Sequence, residues 1–168
     1  MSLKTLIILR HAKSSWGDFT CPDFDRTLNK RGLRDGPFMA SKLKEIMPDD
    51  LDLIITSPAK RALMTAQFFQ KELDLGEDNF WTDKRLYHAY SDTILEVISE
   101  CPDHYNSLLI TGHNPGLTSF VNEFPPFETD NLPTASFVII QLSISSWKNF
   151  NYGQGRVSAF HFPKQYFQ

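Results

Sequence analysis

The feature that most constrains this chain is a continuous run of apolar residues near its start, Thr5 to Leu9, rich in isoleucine and leucine. A strand with one wet face alternates apolar and polar residues. An unbroken run suits a strand buried on both faces, as at the centre of a parallel sheet. Leu51 to Ile55 and Ser107 to Ile110 read the same way. Helical patterns separate the three runs, and strands alternating with helices indicate an α/β domain built from crossover units. At 168 residues the chain fits one such domain, spanning 1–168, with a sizeable core.

The clearest helix follows Ser57-Pro58, a preferred N-cap followed by a residue tolerated at the first helical position. Ala62, Leu63, Ala66, Phe69 and Leu73 lie along one of its faces. A helix from Ser91 buries Ile94, Leu95 and Ile98. Another covers Asn29 to Met47, with Leu33, Ala40, Leu43 and Met47 on one side and a kink or restart expected at Gly36-Pro37. A fourth opens near Pro115 and runs to about Glu123. Beyond the proline-rich stretch Phe124 to Pro133, strands are predicted over Ser136 to Ser143 and Arg156 to Phe162, joined by a turn at Asn151 to Gly155. This pair extends one edge of the sheet as a hairpin. Phe120, Phe124 and Phe127 are expected to fill the core and that sheet edge.

Charge narrows the function. A net charge of -3 and a pI near 5.9 argue against a nucleic-acid partner, which calls for a basic domain or stripe. Any strong affinity for anions must come from a local basic site. The start, MSLKTLIILRHAK, has an apolar run too short for a membrane span and lacks a small-residue cleavage site. Cys21 and Cys101 have no metal-ligand spacing and read as free thiols in a reducing compartment, although a disulfide between them is compatible with the sequence. The expectation is a cytoplasmic monomer without membrane or nucleic-acid partners.

Three segments put polar groups just past the end of a predicted strand, where α/β sheets bind ligands. They are Leu9-Arg10-His11-Ala12, Thr56-Ser57-Pro58-Ala59-Lys60-Arg61 and Thr111-Gly112-His113-Asn114-Pro115-Gly116. Arg61 falls in the first turn of a helix, where free N–H groups attract anions. It reads either as a phosphate ligand or as one half of a surface ion pair. His113 reads as a ligand group or a hydrogen-bonded turn histidine, and Asn114 with the flanking glycines permits unusual backbone angles and close approach to a ligand.

On these residues the chain resembles a known family. LIILRHAKSSW, DRTLNKRG, LIITSPAKRALMTA and LLITGHNPGL are similar to successive motifs of the histidine phosphatase superfamily, especially its short SixA-type phosphohistidine phosphatases. PTASFVIIQL and GRVSAFHFP resemble the terminal strands of that branch. The resemblance implies a phosphoglycerate-mutase-like fold, a three-layer α/β/α sandwich around a mostly parallel sheet with a C-terminal strand pair at its edge. It implies His11 as nucleophile, with Arg10, Arg61 and His113 around the phosphoryl group and Arg26 near the phosphate.

The residue types suit that reaction. A neutral imidazole can carry a covalent phosphoryl group, and a donor bond from its other ring nitrogen to a backbone carbonyl would hold it in line. Guanidinium groups and a protonated His113 would offset the charge on the phosphoryl oxygens. HExxH, paired-carboxylate and EF-hand patterns are absent, so a reaction without metal or other cofactor is expected. The leaving group presents the gap. Larger members of the superfamily use an acidic residue in a mid-chain segment, but Asp83 to Ser91, DKRLYHAYS, offers no clear equivalent. Asp18 is a candidate acid and Asp25 a weaker one, and either reads equally as a solvated loop residue. Lys13 steers substrate or is simply exposed, and His88, His104 and His161 default to structural or surface roles. A missing acid favours phosphohistidine on a protein as substrate. The alternatives are a small phosphorylated metabolite and a phosphate-binding module without turnover.

Overall fold

A computed structural model of the chain describes residues 3–47 and 51–167. The apolar runs form the strands β1 (Lys4–Arg10), β2 (Leu53–Thr56) and β4 (Ser107–Gly112), joined by β3 (Phe80–Thr82), β5 (Phe137–Leu142) and β6 (Gly155–His161). All six make one sheet in the order β3-β2-β4-β1-β5-β6. β1 to β4 are mutually parallel, β5 runs antiparallel to β1, and β6 antiparallel to β5. The C-terminal pair therefore closes one edge of a mostly parallel sheet, as the sequence predicts.

Alternate residues of the central strands feed two separate cores. Leu6, Ile8, Leu53, Ile55, Leu108 and Ile110 pack on one face with α3 (Ser91–Ser99) and α4 (Gly116–Val121). Ile7, Leu9, Ile54 and Leu109 pack on the other with α1 (Lys30–Ile46) and α2 (Lys60–Glu72). This is the α/β/α sandwich, and it explains why the strand sequences are apolar at every position. Each Leu or Ile buried this way contributes about 1.5–3 kcal/mol. Phe120 and Phe124 are fully buried in the first core, with Phe127 packed against it.

Several expectations are corrected. α1 is continuous through Gly36-Pro37, with Pro37 inside it. Pro37 and Leu33, whose carbonyl the proline leaves without its helical donor, are both exposed, so water can serve that carbonyl. Leu33 is not on the buried face, which is formed by Met39, Ala40 and Leu43. α2 begins two residues after Pro58, with Ala59 as its N-cap and no side-chain cap, because the Ser57 hydroxyl is engaged elsewhere. β3 was not predicted: three half-buried or exposed residues are too few to show a period. The β5–β6 connection is longer than a turn, containing two 3-10 segments, Trp147–Asn149 and Tyr152–Gln154, with Trp147 fully buried.

Candidate active site

The strand order makes β2, β4 and β1 neighbours, so the three strand-end segments, remote in sequence, meet at one end of the sheet. Arg10 pairs with Gly112, and Thr56 with Thr111. Beyond the strands, His11 N donates to Gly112 O (3.2 Å) and Ser57 N to Thr111 O (3.0 Å). A cavity of about 190 Å³ opens there, lined by Arg10, His11, Lys13, Ser14, Trp16, Arg26, Arg61, His88, His113, Asn114 and Thr134. Larger cavities of about 540 and 620 Å³ occur elsewhere, but neither gathers arginines or histidines in this way.

His11 is buried and held from both sides. Its carbonyl accepts from Ala135 N (3.1 Å), a residue in the left-handed region at φ 61°, and its Nδ1 lies 2.7 Å from Ala12 O. A carbonyl only accepts, so Nδ1 carries the proton and Nε2 keeps its lone pair. Ala12 is fixed in turn: its N–H donates to Thr65 Oγ1 (2.9 Å), which donates to Arg61 O (2.7 Å). Burial pushes the His11 imidazole down to about 3; the Ala12 bond opposes this, and Arg61, Arg10 and Arg26 add to it. Burial and the neighbouring cations thus favour the neutral ring, with the lone pair on Nε2.

The arginines are organised by a residue the sequence reading passed over. Asp23 Oδ2 accepts from Arg61 Nη2 (3.0 Å) and Tyr87 OH (2.7 Å), while Oδ1 accepts from Arg26 Nε (3.1 Å) and pairs with its Nη2 (3.0 Å). Arg61 Nη1 also donates to Asp23 O (2.7 Å). Burial works against ionisation of Asp23, but Tyr87, Arg61 and Arg26 outweigh it and hold the carboxyl well below the usual carboxylate range. Arg26 additionally donates to Ser14 Oγ (2.6 Å) and stacks on Trp16, 3.6 Å from the ring centroid. Arg10 donates to Leu132 O (2.6 Å). Arg61 is ion-paired with Asp23, as one reading had it, but it is buried, not at the surface, and it lines the cavity.

His113 lies 5.2 Å from His11 between ring centroids. Burial, then His11, Arg61 and His88, push it down to about 2, with Asp23 only partly opposing. The protein's own groups thus favour the neutral form, against the expectation of a protonated His113. Its Nε2 is 2.8 Å from Ser57 Oγ, a hydroxyl that accepts from Ala59 N (3.2 Å). Where the Ser57 hydroxyl gives its own proton to Nε2, the imidazole N–H sits at Nδ1. His113 Nδ1, Arg10 Nε and Arg61 Nε are buried without protein partners among the described residues. All three residues line the cavity, and these nitrogens are not committed to other protein groups.

Motif residues without a charge hold this geometry. Asn29 caps α1 through Gly32 N (2.9 Å) and donates its own N–H to Lys13 O (3.0 Å), and a Cβ at Gly32 would collide with that same carbonyl. Asn114 lines the cavity, but its side chain serves the loop. Nδ2 donates to Asn131 Oδ1 (2.7 Å) and Leu132 O (3.1 Å), and Oδ1 accepts from Thr118 Oγ1 (2.9 Å). The turn uses no positive-φ glycine; it has a cis Asn114–Pro115 bond and needs Gly116 because a Cβ would strike the Ala89 carbonyl.

Asp18 and Asp25 are not brought to the cavity. Asp18 is exposed, and bonds from the Thr20 hydroxyl and N–H lower its pKa, the wrong direction for an acid that must hold a proton near neutrality. Lys13 does line the cavity. So does His88, which no motif singles out, whereas His104 and His161 do not. Cys21 and Cys101 are both free. No helix among the described residues is long and apolar enough to cross a membrane.

The histidine phosphatase superfamily (branch 1) matches residues 6–115, from β1 through the His113 turn. An uncharacterized protein of Mycobacterium tuberculosis is 25% identical over 166 residues, covering 93% of this chain and all of its own length. The fold is shared with SixA of Agrobacterium tumefaciens, a candidate phosphohistidine phosphatase, at TM-score 0.79 and 23% identity, over 95% of this chain and 98% of that one. It is shared more loosely with a mycobacterial glucosyl-3-phosphoglycerate phosphatase, at TM-score 0.66 and 12% identity, over 93% and 97% of the two chains. The chain belongs to branch 1 of the histidine phosphatase superfamily, and it is a phosphatase.

Proposed function

We propose that this protein hydrolyses phosphohistidine on proteins through a covalent phosphoryl intermediate on His11. The observation that carries the reading is the lining of the cavity: it is cationic and includes no carboxyl group. The one carboxylate behind it, Asp23, is locked in its ionised form. An alkoxide leaving group needs a strong, well-placed acid, and nothing here supplies a carboxylic acid for it. A phosphohistidine imidazole leaves far more readily once protonated.

In the first half-reaction His11 Nε2 attacks phosphorus while its Nδ1–H stays on the Ala12 carbonyl. The P–N bond of the substrate breaks, and its electron pair returns to the departing imidazole, which takes up a proton. Arg10, Arg61 and His113 donate to the phosphoryl oxygens, with Arg26 at the rim. Loss of one such preorganised donor costs about 2.7–4 kcal/mol of barrier. Water then attacks the phosphorylated His11, releasing inorganic phosphate and the neutral imidazole. Residues 1–168 act as one catalytic domain, monomeric and cytoplasmic, where Cys21 and Cys101 stay reduced.

The test is turnover with excess chelator on a phosphohistidine protein and a panel of alkyl phosphates, for wild type and His11→Ala. Preference for phosphohistidine, lost by several orders of magnitude in the variant, is the expected result. Preference for an alkyl phosphate keeps the chemistry but moves the function to a metabolite phosphatase. Undiminished activity without His11 overturns the mechanism.

A further inference from the structure

His88 is left over by the mechanism above, yet its position is unusual in three independent ways. It lines the phosphate cavity together with His11, Arg61 and His113. It is held at φ 57°, in the left-handed region that few non-glycine residues occupy, histidine more often than most. Although exposed, it is also contacted on two sides: its ring lies on Tyr87 at 4.0 Å between centroids, and its Nε2 is 3.7 Å from Asp23 Oδ2. A merely exposed loop histidine needs none of these. With His11 and His113 buried and neutral and the lining free of carboxyl groups, His88 is the lining residue suited to carry a transferable proton.

We infer that His88 is the leaving-group acid, and that it matches the enzyme to substrates whose leaving group is an imidazole. The inference rests on the proposed phosphohistidine activity. In the first half-reaction protonated His88, with Asp23 as its counter-ion, gives its proton to the departing imidazole nitrogen as the P–N bond breaks. In the second, neutral His88 takes a proton from the attacking water, so that the cycle returns it protonated. Proton transfer between two imidazoles is nearly balanced, whereas the bridging oxygen of an alkyl phosphate is far less basic than an imidazole until its P–O bond has largely broken. His88 therefore bears on substrate choice as well as on rate.

The test compares wild type with His88→Gln on a phosphohistidine protein and on 2,4-dinitrophenyl phosphate, whose phenolate departs without an acid. The expected loss of kcat on phosphohistidine is about 100- to 10,000-fold, with a much smaller loss on the aryl ester. The aryl turnover also reports that the variant is folded. In His88→Gly, which suits the left-handed backbone, added imidazole should restore phosphohistidine turnover. Equal losses on both substrates, or full phosphohistidine turnover in His88→Gln, would overturn the assignment. A wild type that hydrolyses the aryl ester but not phosphohistidine sinks the proposed function and the imidazole match with it. The acid role is then judged by the same contrast between the aryl ester and an alkyl phosphate.

Discussion

Arg61 and Arg26 approach the His11 cavity from different elements, and Asp23 bonds both of them. Its carboxylate bonds both guanidiniums and Tyr87 and lies beside His88. The folded protein depresses its pKa, so its contribution to stability is present above the ordinary carboxylate range and is lost as pH falls through acid. Asp23→Asn should therefore lower stability at pH 7, by about 1 kcal/mol given that the carboxylate is partly solvated. The difference between variant and wild type in thermal melts should shrink below pH about 4. A gap that persists at low pH would mean that shape, and not charge, holds the cluster. The same residue marks where the sequence stops being readable. His11, Arg10, Arg61 and His113 stand at strand ends, so a strand prediction suffices to gather them. Asp23 and Tyr87 are 64 residues apart and meet only through loop packing. Nothing in DFDRTLN distinguishes Asp23 from Asp25 until Arg61 is seen beside it.

Among the elements, burial on two faces writes itself into composition, and for that reason β1, β2 and β4 could be placed from sequence. β3 could not, because an edge strand of three residues leaves no pattern. Helix faces were legible wherever apolar spacing was dense, and failed at Leu33, where an apolar side chain lies in water. Pro37 is the informative case. Local rules call for a break, but α1 continues because its flanks are anchored: Asn29 caps one end, Met39, Ala40 and Leu43 bury the far half, and Gly36 seats against the Phe68 ring. Tertiary packing thus outweighs a proline penalty of about 3 kcal/mol relative to alanine. Pro37→Ala restores a donor for the Leu33 carbonyl and should stabilise the protein by about 1–2 kcal/mol after the gain in unfolded-chain entropy is subtracted. At this chain length that corresponds to a rise in Tm of about 2–8 °C. An unchanged Tm would mean that water already satisfies the carbonyl at little cost.

At the scale of the whole molecule, a single net charge of -3 conceals a strong asymmetry. The strand order gathers Arg10, Arg26 and Arg61 at one end of the sheet, with Lys13 beside them. A second recess of about 420 Å³ shares Arg10, Lys13 and Thr134 with the phosphate cavity and adds Arg31 and Lys164. Neither lining includes a carboxylate. The sequence could not display this field, because its cations are scattered from residue 10 to residue 164 and only the fold sums them. A phosphorylated protein approaching this end meets attraction from a molecule that repels anions on average. Such steering is screened over about 8 Å at physiological ionic strength. Raising salt from 50 to 200 mM should therefore increase KM for a phosphohistidine protein several-fold and leave kcat nearly constant, because the buried donors around His11 are screened much less. Lys13→Ala should flatten that dependence, since Lys13 borders both recesses and bonds to neither His11 nor Asp23 through its side chain. If kcat falls with salt while KM stays fixed, the cationic end acts on the chemical step alone, and encounter with the substrate is governed by contacts other than charge.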